Sequence, residues 1–295
     1  MLDPQHRSRT IAVGVERGVT QFQYIAYKAP TCRRVPAKKR EPLGLPVSNV
    51  AKSRAELLAN EKEFHNRRFE EGDSRSAQLK YYWSIDQGAE NYRKEVEKYA
   101  RGADVLEYGC GAEGVLLKVG SSVRSGHAID ISEEGIATSR AACPFPNVQY
   151  AVMDAMNMKF GDASFDLVFG SGIVHHLDTV ECAREIARVL RPGGHAVFWE
   201  PCGLNPLINA YRYLTPDART PDEHPLLPRD MRILRDRFSS VNVDYYGMTS
   251  MLAVPFRNGV LGAPLRGTLW ALDSILTRIP GLRTLAWYSL IRVAK

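Results

Sequence analysis

Between residues 103 and 200, short apolar segments alternate with segments whose apolar residues recur at helical spacing. Helical spacing is clearest over Val180–Leu190, where Asp178 can cap a helix that is apolar along one face. The short apolar segments predict strands at Val105–Tyr108, Ser125–Asp130, Val148–Val152, Phe165–Phe169 and His195–Glu200. This alternation predicts an α/β fold with a parallel, doubly wound sheet, which binds its ligands at the carboxyl ends of the strands.

The same patterns predict elements on either side of this region. Helices are expected from Ser53 to about Glu71 and over about Ser76–Tyr99. Strands six and seven are expected at Val241–Tyr246 and Trp287–Val293, with a leucine-rich helical segment between them. The proline-rich segment after strand five predicts a stiff loop without an internal helix.

A glycine-rich turn follows the first predicted strand. Gly109 and Gly111 lack a Cβ, so the backbone can turn tightly and approach a ligand closely. A helix that begins near Ala112 would offer N–H groups to polar atoms of that ligand. Asp130 ends the second strand and lies 19 residues after Gly111. This spacing is typical of the carboxylate that binds ribose hydroxyls in nucleotide-binding folds.

Further motifs accompany the turn and the acid. The set consists of Glu107-x-Gly109-Cys110-Gly111, Ala128–Ser132, Asp154-Ala155, Phe165–Val168, His175-His176-Leu177 and Arg188–Gly194. Together these motifs resemble those of the class I S-adenosylmethionine-dependent methyltransferases, and in particular the methyltransferase type 11 group that acts on small molecules. The resemblance implies a Rossmann-like sheet of seven strands, mostly parallel with the last strand antiparallel. It also implies S-adenosyl-L-methionine as the cofactor.

The resemblance assigns cofactor-binding roles to particular residues. The assigned residues are Glu107, Gly109, Cys110 and Gly111 at the methionine end, Asp130 and Ile131 at the ribose and adenine, Asp154 and Ala155 at the adenine edge, and Ser171 near the transferable methyl. The family usually has a third glycine where this chain has Glu113, which we expect to face solvent. A nicotinamide fingerprint also fits Gly109, Gly111 and Gly114, but it leaves the motifs at Asp154 and Arg191–Gly194 without a role.

Methyl transfer requires the acceptor atom to be aligned with the methyl, and an oxygen acceptor must also lose its proton. Histidine suits that proton transfer because its pKa lies near neutrality. His175 and His176 follow strand four and Glu200 ends strand five, so these three residues are the candidate bases. The sequence therefore predicts an enzyme that methylates an oxygen or nitrogen atom of a small metabolite, glycan or natural product.

Two other functions stay open at this point. Tyr82, with its neighbours Tyr81 and Trp83, would suit C-methylation of an isoprenoid or lipid, because an aromatic face stabilises a cation. Glu200 would be the base in that reaction, and Tyr82 is therefore a fourth catalytic candidate. A non-catalytic S-adenosylmethionine-binding protein is the second alternative. A nucleic-acid substrate is disfavoured, since Gly170-Ser171-Gly172 stands where the family's amino-base enzymes carry Asn or Asp followed by Pro-Pro-aromatic.

Substrate-binding residues are expected on both sides of the cofactor edge. The candidates are His65, Tyr81 and Trp83 before the sheet, and Arg212, Arg219 and His224 after strand five. No metal is expected, because no ligand spacing requires one. The leucine-rich insertion is interpreted as an apolar lid or channel, as a helix packed on the sheet or in a homodimer face, or as a surface in weak contact with a membrane.

Charge and composition divide the chain further. Residues 1–55 contain 11 Lys or Arg and 3 acidic residues, a balance of 11 − 3 = +8, so the remainder carries 6 − 8 = −2. We expect a basic, disordered tail over 1–52, a helical cap over 53–102, and a methyltransferase domain over 103–295 with insertions at about 201–238 and 248–285. The tail is also compatible with a nucleic-acid arm or a transit peptide.

The five cysteines are scattered and form no metal-binding spacing, which predicts reduced thiols and a cytoplasmic protein. No apolar run approaches the ~18 residues of a membrane span, so no transmembrane segment is expected.

Overall fold

A seven-stranded sheet with strand order β3-β2-β1-β4-β5-β7-β6 forms the centre of the molecule. The structure is a computed structural model that describes residues 54–70, 79–215 and 223–295, without the side chains of 55, 57, 68–70 and 79. Its strands are β1 (Asp104–Tyr108), β2 (Ser125–Asp130), β3 (Val148–Val152), β4 (Phe165–Ser171), β5 (Leu190–Pro201), β6 (Ser240–Tyr246) and β7 (Tyr288–Ala294). β1 to β5 pair in parallel, whereas β7 is antiparallel to both β5 and β6. The predicted α/β fold is confirmed.

Helices cover both faces of this sheet. They are α1 (Arg54–Glu70), α2 (Leu79–Tyr82), α3 (Asp86–Ala100), α4 (Leu116–Val119), α5 (Glu133–Ala142), α6 (Thr179–Val189), α7 (Pro206–Leu214), α8 (Pro228–Arg237) and α9 (Gly262–Leu276). Successive strand residues enter opposite cores: Val105 packs in the core that contains α3, and Leu106 packs in the core that contains α6 and α8. This period of two is what a sheet buried on both faces requires.

The predicted loop without an internal helix after strand five is wrong. The chain forms α7 there, and Pro206 occupies its first turn, where a missing N–H costs no helical hydrogen bond. Asn205 caps the helix by accepting a hydrogen bond from the Ile208 N–H at 3.0 Å. Proline density therefore marked the start of a helix rather than its absence.

Two other helix predictions need correction. The helix expected over Ser76–Tyr99 is divided into α2, a 3₁₀ turn at Trp83–Ile85, and α3. The helix expected near Ala112 begins only at Leu116, because the glycine-rich turn continues through the intervening residues. The predicted tail over 1–52 lies outside the described residues.

The late insertion forms a helix, as its leucine spacing predicts, and polar contacts fix its position. Asp273 on α9 is buried and accepts hydrogen bonds from the N–H groups of Thr249 and Ser250. The Arg266 guanidinium lies 4.3 Å from the ring centroid of Trp83 and donates to the Trp83 carbonyl at 2.8 Å. The insertion is therefore tied to the turn between α2 and α3. Among the described helices, none has the length and apolar character needed to cross a bilayer.

Gly88 on α3 lies in tight contact with the aromatic rings of β5 and β6, which generates a prediction. A Cβ at position 88 would meet the buried Trp199 ring and would lie 2.8 Å from Tyr246 Cγ. We expect Gly88→Ala to lower the free energy of unfolding by up to about 2 kcal/mol, because overpacking costs about 1–3 kcal/mol and the gain in helix propensity offsets only about 1 kcal/mol of it.

Gly267 on α9 is the matched control. It is exposed, and a Cβ there would have no described atom within 4 Å. Gly267→Ala should raise the free energy of unfolding by up to about 1 kcal/mol in urea titrations. Equal stabilisation by the two substitutions would contradict the packing described at Gly88.

Candidate functional site

The turn after β1 is joined by hydrogen bonds to the end of β2. Gly109 and Gly111 adopt φ values of 73° and 54°, a left-handed backbone that favours glycine. The N–H groups of Gly109 and Cys110 donate to the Ile129 carbonyl at 2.8 and 3.0 Å. The Gly111 N–H donates to Asp130 Oδ2 at 2.8 Å. The structure thus brings together the glycine turn and the acid that the sequence placed 19 residues apart.

Glu107 lies beneath this turn and is buried. Its carboxylate accepts hydrogen bonds from the N–H groups of Val115 and Leu116, which begin the following helical turn. Burial raises the pKa of Glu107 to about 7, although these two hydrogen bonds oppose the shift. A Cβ at Gly114 would lie 2.5 Å from Glu107 Oε2, so the turn requires a glycine there. Glu113 is exposed, as expected.

The carboxyl ends of β2 and β3 carry the other cofactor candidates. Asp130 Oδ1 accepts from the Ser132 N–H at 2.8 Å, and Ile131 between them is half-buried. Asp154 Oδ1 accepts from the Met156 N–H at 2.8 Å. These side-chain contacts fix the loops that follow the two strands.

The remaining cofactor candidates lie near the same edge and differ in exposure. The Tyr108 hydroxyl donates to the Ala155 carbonyl at 2.8 Å, which links the end of β1 to the loop after β3. Cys110 is buried, and burial raises the pKa of its thiol well above the usual range. Cys110 is therefore not positioned as a reactive thiolate. Ser171 ends β4 and is exposed.

Helix α1 lies across this edge of the sheet and contacts it through polar side chains. Arg54 pairs with Asp154 at 2.8 Å, and Lys62 pairs with Glu133 at 2.6 Å. The Ser132 hydroxyl donates to Asn66 Oδ1 at 2.6 Å. The helix that precedes the sheet therefore covers the segments that follow β2 and β3, which carry the residues predicted to bind adenosine.

A second buried carboxylate, Glu200 at the end of β5, holds the segment that follows β4. Glu200 Oε1 accepts from the N–H groups of Ile173 and Val174 at 2.9 and 3.0 Å. Glu200 Oε2 lies 2.8 Å from His175 Nδ1. Burial raises the pKa of Glu200 to about 7, while the backbone N–H groups of Val174 and Ile173 act in the opposite direction. Glu200 thus orients His175 rather than facing an open space.

The other ring nitrogen of His175 faces the segment after the α7 helix. Nε2 lies 3.9 Å from Glu223 Oε1, and that oxygen lies 4.0 Å from Arg212 Nη2. The His224 N–H donates to the His175 carbonyl at 2.9 Å. Arg212 and His224 are therefore placed near His175, and their assignment to the substrate stays a prediction. Arg219 lies outside the described residues.

His176 contacts α1 instead. Its Nδ1 lies 3.4 Å from Glu61 Oε2, and His65 Nε2 lies 3.4 Å from the same oxygen. The ring centroids of His175 and His176 are 4.2 Å apart, so the two histidines form neighbouring parts of one polar site. Sequence reasoning did not select Glu61; the spacing of four residues between Glu61 and His65, which puts both on one helix face, was the available signal.

The aromatic candidates mainly pack against other aromatic or cationic groups. Tyr81 lies 5.4 Å from Tyr211, and Tyr82 stacks on Trp287 at 5.3 Å, both between ring centroids. Trp83 contacts the Arg266 guanidinium of the insertion. These contacts fix the cap and the insertion against the sheet.

Comparison with known proteins matches part of the chain to a methyltransferase domain. Residues 106–198 match the family model described as "Methyltransferase domain". The chain is 32% identical over 123 residues to the O-methyltransferase cnsE of Penicillium expansum, covering 38% of this chain and 45% of that protein. It is 31% identical over 141 residues to a demethylmenaquinone methyltransferase of Listeria monocytogenes, covering 42% and 60%. The chain thus spans about half the length of the curated relatives it matches.

Solved structures show the same fold at low identity. Geranyl diphosphate C-methyltransferase from Streptomyces coelicolor A3(2) has a TM-score of 0.52 and 14% identity, with 70% of this chain and 78% of that chain covered. Phosphoethanolamine N-methyltransferase 2 from Haemonchus contortus has a TM-score of 0.51 and 19% identity, with 70% and 52% covered. The family model and the named relatives thus agree on a methyltransferase domain over residues 106–198, and the sheet has the fold of these solved methyltransferases.

Proposed function

We propose that this chain transfers a methyl group from S-adenosylmethionine to an oxygen or nitrogen atom of a small molecule. The observation that carries the proposal is the convergence of three groups at the carboxyl edge of the sheet. They are the turn at Gly109–Gly111, the Asp130 carboxylate, and the His175–Glu200 pair. A nucleotide-binding turn and a histidine with an orienting carboxylate are the two parts that such a reaction requires.

The residues at the turn fit the cofactor. Asp130 already accepts hydrogen bonds from two backbone N–H groups, but a carboxylate has about four lone-pair positions and can also accept from ribose hydroxyls. The left-handed glycines present backbone rather than side chains at the site. Ile131, Asp154 and Ala155 would contact the adenine. When bound, the cofactor supplies an electrophilic methyl group on a sulfonium.

His175 is the base in this proposal. Glu200 holds Nδ1, so Nε2 is the nitrogen that receives a proton from the acceptor. Glu200 also stabilises the imidazolium that this transfer produces, because the two groups are 2.8 Å apart and buried. Glu200 is therefore a positioning residue. His176 is not the base in this proposal, because its Nδ1 faces Glu61 of α1 in the neighbouring part of the site.

The contacts of the aromatic residues favour an oxygen or nitrogen acceptor over carbon. C-methylation of an isoprenoid or lipid would need an aromatic face turned to the substrate cation. Tyr82 instead stacks on Trp287, and Trp83 is in contact with Arg266. Two of the relatives are named O-methyltransferases, from Penicillium expansum and Aspergillus sclerotiorum.

A methyl-transfer screen over hydroxyl- and amine-bearing small molecules, read by mass spectrometry of the products, tests this assignment.

Cofactor binding provides the first prediction. Asp130→Ala removes the acceptor for the ribose hydroxyls, so we expect the dissociation constants of S-adenosylmethionine and its demethylated product to rise at least about tenfold, the equivalent of a hydrogen bond to a charged group. Isothermal titration calorimetry measures both constants. Glu113→Ala, an exposed acid in the same turn, is the control and should bind as the unaltered chain does. Unchanged binding by Asp130→Ala, or heat from nicotinamide dinucleotide instead, would overturn the cofactor assignment.

Catalysis by His175 provides the second prediction. With an acceptor from the screen, His175→Gln should lower kcat by about 10²–10⁴-fold, because the proton acceptor is lost. Glu200→Gln should also lower kcat and should alter its pH profile, since the amide cannot hold the imidazolium as a carboxylate does. Cofactor affinity in calorimetry should stay unchanged in both variants. Full turnover by His175→Gln would rule out this base.

A further inference from the structure

Three side chains of the kinds that bind metal ions, two histidines and a glutamate, lie close together beside His175. Glu61 and His65 lie one helical turn apart on the same face of α1, and His176 follows β4. Glu61 Oε2 is 3.4 Å from His65 Nε2 and 3.4 Å from His176 Nδ1. The three donor atoms all lie within 4.8 Å of one another. All three side chains are largely buried, with 12%, 19% and 6% exposed for Glu61, His65 and His176.

We propose that Glu61, His65 and His176 bind a divalent first-row transition metal ion, for which Zn²⁺ is the reference probe. Zinc binds imidazole nitrogen and carboxylate oxygen at about 2.0–2.2 Å, so two ligands of a tetrahedral site are about 3.3–3.5 Å apart. The two contacts of 3.4 Å between Glu61 and the histidines have that separation. Two imidazoles and one carboxylate are a donor set suited to Zn²⁺, Fe²⁺ or Co²⁺ rather than to Mg²⁺.

The state of His176 points independently to a ligand. Its side chain is 6% exposed, and its Nδ1 is buried without a hydrogen-bond partner among the described residues. The Glu61 oxygen at 3.4 Å is near Nδ1 but does not form a hydrogen bond with it. A buried imidazole nitrogen without a partner is costly, whereas a metal ion would satisfy its lone pair.

The position of this site gives the ion a role, which rests on the proposed function. The His176 ring lies 4.2 Å from the ring of His175, the proposed base. Three protein ligands leave at least one coordination position for an acceptor oxygen. A metal-bound hydroxyl would lose its proton more readily than an unbound one, and His175 is the neighbouring side chain that would accept it. His175, His176 and Glu223 form a second close group that extends the polar site away from α1.

Metal binding can be tested without turnover. The untagged full-length chain, freed of metal by a chelator, is titrated with Zn²⁺, Co²⁺ and Mg²⁺ in a calorimeter in the absence of cofactor. We expect one Zn²⁺ per chain, no competition from Mg²⁺, and a visible Co²⁺ ligand-field spectrum without thiolate charge transfer. Glu61→Gln and His176→Gln should each raise the Zn²⁺ dissociation constant at least about tenfold.

His195→Gln is the matched control. His195 lies in the middle of β5, five residues before Glu200, and its ring stacks on Tyr99 at 4.2 Å between ring centroids. Its replacement should leave Zn²⁺ binding unchanged. Binding of S-adenosylmethionine by each variant, measured without metal, reports that the domain is folded and tests the cofactor assignment separately. Absence of Zn²⁺ binding by the unaltered chain, or equal affinity in Glu61→Gln and His176→Gln, would overturn the proposal even if the cofactor binds.

Discussion

The arrangement at the carboxyl edge of the sheet depends on one buried carboxylate, Glu200. Glu200 has no exposed surface, and its two oxygens hold the backbone of Ile173 and Val174 and the ring of His175. Removing such an acceptor would leave buried N–H groups without partners, each at a cost of about 1–3 kcal/mol. Because Glu200 ends β5 and the held segment follows β4, this contact fixes the relation between two neighbouring strand ends. The orientation of His175 is a consequence of that arrangement.

Carboxylates that accept hydrogen bonds from backbone N–H groups of a neighbouring segment also occur at two other strands of this edge. Glu107 near the end of β1 accepts the N–H groups that begin α4, and Asp130 at the end of β2 accepts those of Gly111 and Ser132. In each case a carboxylate at or near a strand end stabilises the backbone of a neighbouring loop. Burial raises the pKa of Glu107 and of Glu200 to about 7, so both groups can change protonation near neutral pH. Side chains that resemble catalytic acids in sequence therefore also organise the loops of this edge.

Local sequence signals were sufficient for the sheet and for the cofactor turn. Apolar runs with clear ends predicted the strands. The interval between Gly111 and Asp130 predicted an acid at the end of the neighbouring strand, and the structure shows its carboxylate 2.8 Å from the Gly111 nitrogen. These signals failed where one residue type is compatible with two structures. Proline interrupts a helix from within but is favourable in its first turn, and Pro206 lies in the first turn of α7. The meeting of Glu61 with His176 could not be predicted, because it depends on how α1 packs on the strand ends. The assignment of domain boundaries and of the substrate-binding residues stays a prediction.

The attachment of α1 has a physical consequence for access to the cofactor edge. Among the side chains described on this helix, none belongs to either buried apolar core. The ion pairs that hold α1 include Arg54 and Lys62, whose side chains are 52% and 37% exposed, and pairs of this kind are worth about 0–1 kcal/mol each. Dissolved ions weaken such pairs, while they leave apolar packing largely intact. A rise in salt concentration should therefore loosen these outer contacts of α1 before it affects the packing of the sheet, while the buried contacts of Glu61 and His65 with His176 persist.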